Sequence, residues 1–284
     1  LADYDGRFTD VYVVDPANGA RRRVLEKLRG EGGPALSWSP DGRWAAYYQD
    51  RHWHLLDTAT GTTRSLTAGL PVAFHNEEDD RPAPPSAHGA AGWTKDSASF
   101  LAYDRHDVWQ LFADGRPARN LTAGHGRSTK TVLRVQRIEP VEEDDDERGI
   151  DPARPLTLRG ESEETRATGF LRTDFSASRP PARLLWGDAS HRYLGRAAEA
   201  DTLLVTLSRF DTYPDVHVTD QAFTAPRRLT DGAAQQAAFA WGSAELISYR
   251  NADGRPLQAA VYKPANFDPA RKYPAIVYIY ERLA

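Results

Sequence analysis

Cysteine is absent from the 284 residues, which removes disulfides, thiolate nucleophiles and cysteine-ligated zinc together. Methionine is absent too, position 1 included, and lysine supplies only 5 of the 36 basic residues. No apolar run approaches the ~20 residues that cross a bilayer, so the sequence predicts no membrane segment. Neither sign of charge dominates: 36 basic residues against 40 acidic ones leave a net −4. Sequence-independent phosphate binding needs an excess positive field, so no nucleic-acid partner is expected. H-E-x-x-H, the P-loop and the dinucleotide fingerprint are missing as well. No cofactor and no metal are therefore expected. His52 and His54 share one face of a strand, but without a third ligand they read as a surface or core pair.

What is present is a core. At 40% hydrophobic and 10% aromatic the chain can fold, and its length suits two average domains or one large all-β domain. The organisation shows in repeats. Trp38-Ser39-Pro40-Asp41-Gly42 is echoed by Trp93-Thr94-Lys95-Asp96-Ser97, and Leu66-Thr67-Ala68-Gly69 by Leu121-Thr122-Ala123-Gly124. Both pairs are offset by 55 residues, and a third ending, Leu229-Thr230-Asp231-Gly232, falls 108 further on, close to two more periods.

Within a unit the pattern is short strands and turns. Strands are predicted at Ala35–Trp38, Trp44–Tyr48, Trp53–Asp57 and Thr62–Thr67, with turns at 39–42 and 58–61. A second set falls at Gly89–Trp93, Ser99–Tyr103, Val108–Phe112 and Ala118–Thr122. Four strands in about 35 residues match one blade of a β-propeller. A half-blade precedes them, Asp10–Asp15 and Arg21–Leu25 about the turn 16–19, and less regular units occupy 130–187 and 190–232. Arg21-Arg22-Arg23 is expected on an exposed outer strand. No long segment keeps a 3.6-residue period. The fold class is all-β: an incomplete β-propeller of four-stranded blades over 1–240, about four blades and a half-blade.

Two stretches interrupt the rhythm. Residues 70–90, with four prolines and the acidic run Glu77–Asp80, read as an insertion between blades. The run Glu142–Glu147 reads as a solvated loop, because six like charges repel.

After Trp241 the character changes. Glu245–Arg250 and Leu257–Tyr262 predict a hairpin about the Asn251-Ala252-Asp253-Gly254 turn. The apolar run Ala275–Tyr280 predicts a strand buried on both faces, as an α/β sheet requires. The order of blades followed by ISYRNADGRPLQAAVYKPANFDPARKYPAIVYIY resembles the junction in the prolyl oligopeptidase family of serine peptidases. The resemblance is loose over the whole chain and close over 245–280, through Asp253-Gly254, Lys263-Pro264, Tyr273-Pro274 and the strand ending at Tyr280. It implies a propeller capping an α/β-hydrolase domain, of which 241–284 would be the truncated start. It also implies short peptides as substrates and no cofactor. Compartment and oligomeric state are left open.

From the residues alone Tyr280 is a packed aromatic at a sheet end. The resemblance to the dipeptidyl-peptidase branch implies instead a hydroxyl donated to the oxyanion, because Tyr280 lies seven residues beyond Tyr273. The chain departs from the pattern immediately afterwards, running Glu281-Arg282-Leu283 where relatives carry a Gly-Gly-Pro turn.

A nucleophile elbow requires G-x-S-x-G. Gly160-Glu161-Ser162-Glu163-Glu164 lacks the last glycine, and Gly126-Arg127-Ser128 fails similarly. The resemblance implies that serine, aspartate and histidine follow beyond Ala284, so the chain reads as an inactive internal piece of a peptidase. Paired glutamates of the dipeptidyl-peptidase kind have only Glu77-Glu78 and Glu142-Glu143 as candidates, neither in a helical context. The alternative is a non-catalytic TolB-like propeller that binds a partner; a scaffold of that kind has no need of the buried 275–280 strand.

Overall fold

The computed structural model describes residues 7–30, 36–139, 149–177 and 179–279. Two strands come first, β1 (Arg7–Val14) and β2 (Arg21–Gly30), paired antiparallel. Four four-stranded antiparallel sheets follow among the described residues. The first holds β3 (Leu36–Trp38), β4 (Trp44–Gln49), β5 (His52–Asp57) and β6 (Thr63–Ser65). The second holds β7 (Ala90–Trp93), β8 (Ser99–Tyr103), β9 (Val108–Phe112) and β10 (Arg119–Asn120). After a short helix α1 (His125–Ser128), the third holds β11 (Thr131–Val135), β12 (Leu156–Ser162), β13 (Thr168–Thr173) and β14 (Ala182–Gly187). The fourth holds β15 (Ser190–Arg196), β16 (Leu203–Arg209), β17 (Thr212–Thr219) and β18 (Arg227–Arg228). A second short helix, α2 (Ala233–Gln236), leads to the hairpin β19 (Ser243–Arg250) and β20 (Pro256–Lys263). In each four-stranded sheet the strands lie side by side in chain order. These are the blades of a β-propeller.

The repeats have a physical cause. In the first blade the Ser39 hydroxyl donates to Asp41 Oδ1 at 2.6 Å and accepts from the Trp44 amide at 2.9 Å. One period later the Thr94 hydroxyl donates to Asp96 at 2.6 Å and accepts from the Ser99 amide at 3.1 Å. The turn needs one left-handed residue, Gly42 at φ 70° in the first copy and Ser97 at φ 56° in the second. A hydroxyl at one position and a carboxylate two further on therefore close the same turn twice.

The Leu-Thr ending is a second device. Thr122 accepts from the Val108 amide at 3.2 Å and donates to Asp107 at 2.6 Å. Asp107 also accepts from the amides of Gly126 and Arg127, which open α1. Thr230 and Asp215 repeat this at β17, holding the Gly232 and Ala233 amides at the start of α2. In the first blade Thr67 keeps its bond from the Trp53 amide, but His52 stands where the aspartate would be.

Burial lies between the blades rather than at one centre. Ala46 and Leu55 of the first blade pack with Trp93, Phe100 and Leu111 of the second. Leu101 and Val108 pack in turn with Leu133, Leu158 and Leu171 of the third, and Phe170 with Leu203 and Val205 of the fourth. A middle strand is thus covered on both faces, and all five residues of β8 are buried. Arginines join blade to blade: Arg64 donates to the carbonyls of Phe112 and Ala113 at 2.8 and 2.7 Å, and Arg119 to that of Phe175 at 2.6 Å. Arg22, the middle of the expected exposed triplet, holds the Thr60 and Ala59 carbonyls in the same way.

One expectation fails. Residues 275–279 form no strand, and Ile276 and Val277 are 98% and 77% exposed. A strand needs a hydrogen-bonded neighbour, and among the described residues none lies beside this segment.

Candidate functional site

Antiparallel order sorts the connections onto two ends of the blades. First-to-second and third-to-fourth turns share one end; second-to-third turns share the other end with the links between blades. The β8–β9 turn, the β12–β13 turn and the 66–89 insertion therefore all lie at this second end, and they meet there.

The insertion is a closed strap. Phe74 is buried against Trp109, His75 bridges Ala87, and Tyr48 Oη donates to the Pro85 carbonyl at 3.0 Å. It delivers Glu78 to Arg105, whose Nη1 lies 2.5 Å from Glu78 Oε1. From the next blade Glu163 accepts from Arg105 Nε and Nη2 at 2.9 and 2.7 Å, while its other oxygen lies 3.0 Å from His106 Nε2. A guanidinium is thus held between two carboxylates, with an imidazole on the far side of one. Burial pushes the Glu163 carboxyl up, but the bonds from His106 and Arg105 outweigh it and hold it below the ordinary glutamate range. Burial likewise opposes the charge on Arg105, and Glu163 and Glu78 more than restore it. The side chains of Arg105, Glu78 and Glu163 keep about 26–31% exposure, so solvent reaches them.

Buried groups support the array. Asp104 accepts from the amides of His106 and Asp107 at 2.7 and 2.6 Å, from Trp109 Nε1, and from Arg127 Nη2 at 3.0 Å. Beside it, Glu77 pairs with His88 at 2.7 Å; burial raises its carboxyl, and the His88 bond brings it below the ordinary value. His106 Nδ1 is buried and has no partner among the described residues.

The C-terminal hairpin sits at this same end. Gln258 Nε2 on β20 donates to the Glu164 carbonyl at 2.6 Å, one residue from Glu163. Phe210, in the β16–β17 turn, packs against Trp241 and against Tyr262 on β20, and its carbonyl accepts from Trp241 Nε1 at 2.7 Å.

Of the residues singled out by sequence, Glu78 is brought into the array and Glu77 pairs with His88 instead, whereas Tyr280 and Glu142-Glu143 lie outside the described residues. His52 contacts Thr67, and His54 stacks on Tyr47 with its Nε2 toward the Gln49 carbonyl. Ser162 is buried at the end of β12 and accepts from the amides of Glu164 and Thr165, closing a hairpin turn rather than an elbow before a helix. Ser128 donates to the His125 carbonyl within α1. Sequence reasoning missed Arg105, His106 and Glu163. Their signal was the repeat itself: Arg105 and Glu163 occupy the same turn of successive units, 58 residues apart.

No family model matches the chain, and no curated protein matches it. Solved structures do. A Bacteroides ovatus protein assigned as a dipeptidyl aminopeptidase IV superposes with a TM-score of 0.57 at 17% identity, over 98% of this chain and 41% of its own. The likeness is one of fold. An oligogalacturonate lyase from Vibrio parahaemolyticus gives 0.47 at 10% identity, over 92% of this chain and 69% of its own. Dipeptidyl peptidase 4 of Porphyromonas gingivalis gives 0.45 at 13%, over 94% and 50%. The chain thus spans about two-fifths of the Bacteroides protein and half of the Porphyromonas one.

Proposed function

We propose that the chain is the substrate-gating propeller part of a serine peptidase that hydrolyses short peptides. Residues 1–240 form the propeller portion, and 241–284 begin an α/β-hydrolase domain. The observation that carries the reading is the bond from Gln258 to the Glu164 carbonyl, which sets the hairpin beside the Glu78–Arg105–Glu163 array. A peptide approaching a hydrolase on that side passes groups suited to its backbone: carboxylates for an ammonium, a guanidinium for a carbonyl or carboxylate. The fold shared with a protein assigned as a dipeptidyl aminopeptidase IV supports the same reading. Bulk at the propeller end keeps folded proteins out.

In this reading the triad lies downstream of Ala284: a serine is acylated, a histidine takes its proton, and an aspartate orients the histidine. Tyr280 donates its hydroxyl to the tetrahedral oxyanion, a contribution of a few kcal/mol in a site closed to water.

The test begins with the gene beyond Ala284 and the intact mass of its natural product. A G-x-S-x-G elbow followed by aspartate and histidine is expected, together with peptide hydrolysis that a serine-directed phosphonate abolishes. In that protein Arg105→Ala raises KM more than it lowers kcat, because the array binds and does not react. A stop codon at position 285 with a native mass near 31.6 kDa overturns the enzyme and leaves a binding propeller.

A further inference from the structure

The opposite end of the third blade carries a second feature that the peptidase reading does not use. A cavity of about 430 Å³ opens between residues 152–155, ahead of β12, and residues at the facing ends of β13 and β14. Its polar lining is three arginines, Arg154, Arg172 and Arg179, against one carboxylate, Asp174, with Thr173 between them. Pro152, Pro155 and Pro180 form stiff walls.

The three guanidiniums differ in how they are held. Arg172 lies on β13 and is half-buried; its Nη2 donates to the Gln221 carbonyl of the next blade, which anchors the head. Its Nε–H is buried and has no partner among the described residues. That Nε–H is closed off from the cavity, so Arg172 meets a ligand through the part of its guanidinium that lines the cavity wall. Arg154 and Arg179 are mostly exposed, at 61% and 80%, in long ion pairs to Asp151 at 3.4 Å and Asp174 at 3.8 Å. Pairs so loose and solvated hold their side chains weakly, so both can turn to a better acceptor. One anchored guanidinium on the cavity wall and two adjustable ones is an arrangement for an oxyanion, because the guanidinium fork matches carboxylate and phosphate oxygens.

We propose that this cavity binds a small molecule bearing a phosphate or carboxylate group, seated on Arg172 and closed over by Arg154 and Arg179. The site lies at the end of the blades away from the Arg105 array, so it is independent of the peptidase reading. The cavity exceeds a bare ion in size, and the prolines and Leu184 leave an apolar wall for the rest of the ligand.

Calorimetric titration of the complete natural protein tests this, with inorganic phosphate and citrate as probes at an ionic strength held constant with sodium chloride. Saturable binding of at least one probe is expected, and it should weaken tenfold or more in the Arg154→Gln/Arg179→Gln double variant. Both substitutions are on exposed side chains, so the variant's melting temperature in chloride should match that of the wild type. Binding of phosphate alone identifies a phosphoryl ligand, and binding of citrate alone a carboxylate; either supports the site. Absence of saturable binding by both probes overturns it, as does undiminished binding by the folded double variant.

Discussion

Strands β8 and β19 are both rich in apolar residues, yet they end in opposite environments. Every residue of β8 is buried, whereas β19 is exposed except at Ala244, which is only partly covered. Regularity of pairing does not explain the contrast. The β19–β20 ladder runs unbroken from Ser243↔Lys263 to Arg250↔Pro256, while β7–β8 carries a register shift between Ala90 and Gly92. A hairpin's register comes from its turn, here Asn251 Oδ1 accepting from the amides of Asp253 and Arg255 with Gly254 at φ 76°. Its burial comes from what stands on either face. The second blade has a blade packed on each side, whereas among the described residues the hairpin is met by the blades at Gln258 and Tyr262.

The largest test of that contrast is Phe100→Ala against Leu246→Ala. Phe100 is fully buried between Trp53 and Trp93, so its truncation should cost about 3–5 kcal/mol. Leu246, 41% exposed, should cost under about 1 kcal/mol. Urea denaturation of both variants measures the difference, and equal losses would break the comparison.

Next in size is the Asp–Thr latch. Asp107→Ala strands the Gly126 and Arg127 amides and leaves the Thr122 hydroxyl only Asn120 Oδ1 as acceptor, at a cost of about 2–3 kcal/mol in the same assay. Asp215→Ala removes the equivalent bonds in the more exposed fourth blade and should lose less.

A smaller effect separates twin turns. Gly19 and Gly61 have φ of 72° and 73°, and each follows an aspartate that caps the turn. Alanine at 19 meets open space and should cost only the left-handed penalty of about 1 kcal/mol. At 61 the added methyl also meets the Arg22 guanidinium and displaces it from the Thr60 carbonyl, so the melting temperature should fall further.

The smallest concerns acid. Because the folded Glu163 carboxyl titrates below its ordinary value, its stabilisation is complete above the unfolded glutamate range, near pH 4.3, and disappears as pH falls through the folded value. Glu163→Gln should therefore be less stable than the wild type at neutral pH, with the two converging in acid. Parallel stability curves from pH 7 to pH 3 would show that Arg105 and His106 do not hold that carboxylate charged.

The blades were legible in the chain because their cause is local. Residues 99–103 and 108–112 were delimited to the residue, and the Trp-Ser/Thr-x-Asp and Leu-Thr repeats mark hydroxyl and carboxylate caps acting within a few positions of one turn or one strand pair. Thr62–Thr67 shortened to Thr63–Ser65 because Thr67 turns away to cap the Trp53 amide. The apolar run at 275–279 misled for the opposite reason. Its composition permits a strand, but pairing requires a partner that composition does not supply.

What the sequence by itself determined is the alternation of short strands and capped turns, since those bonds join residues close along the chain. Only the tertiary structure decided that Glu78, Arg105 and Glu163 meet, and that Arg154, Arg172 and Arg179 share a cavity. Charge on a single turn says nothing about its partner. The stacking of one blade on the next selects it, by bringing turns about one repeat apart within hydrogen-bond distance.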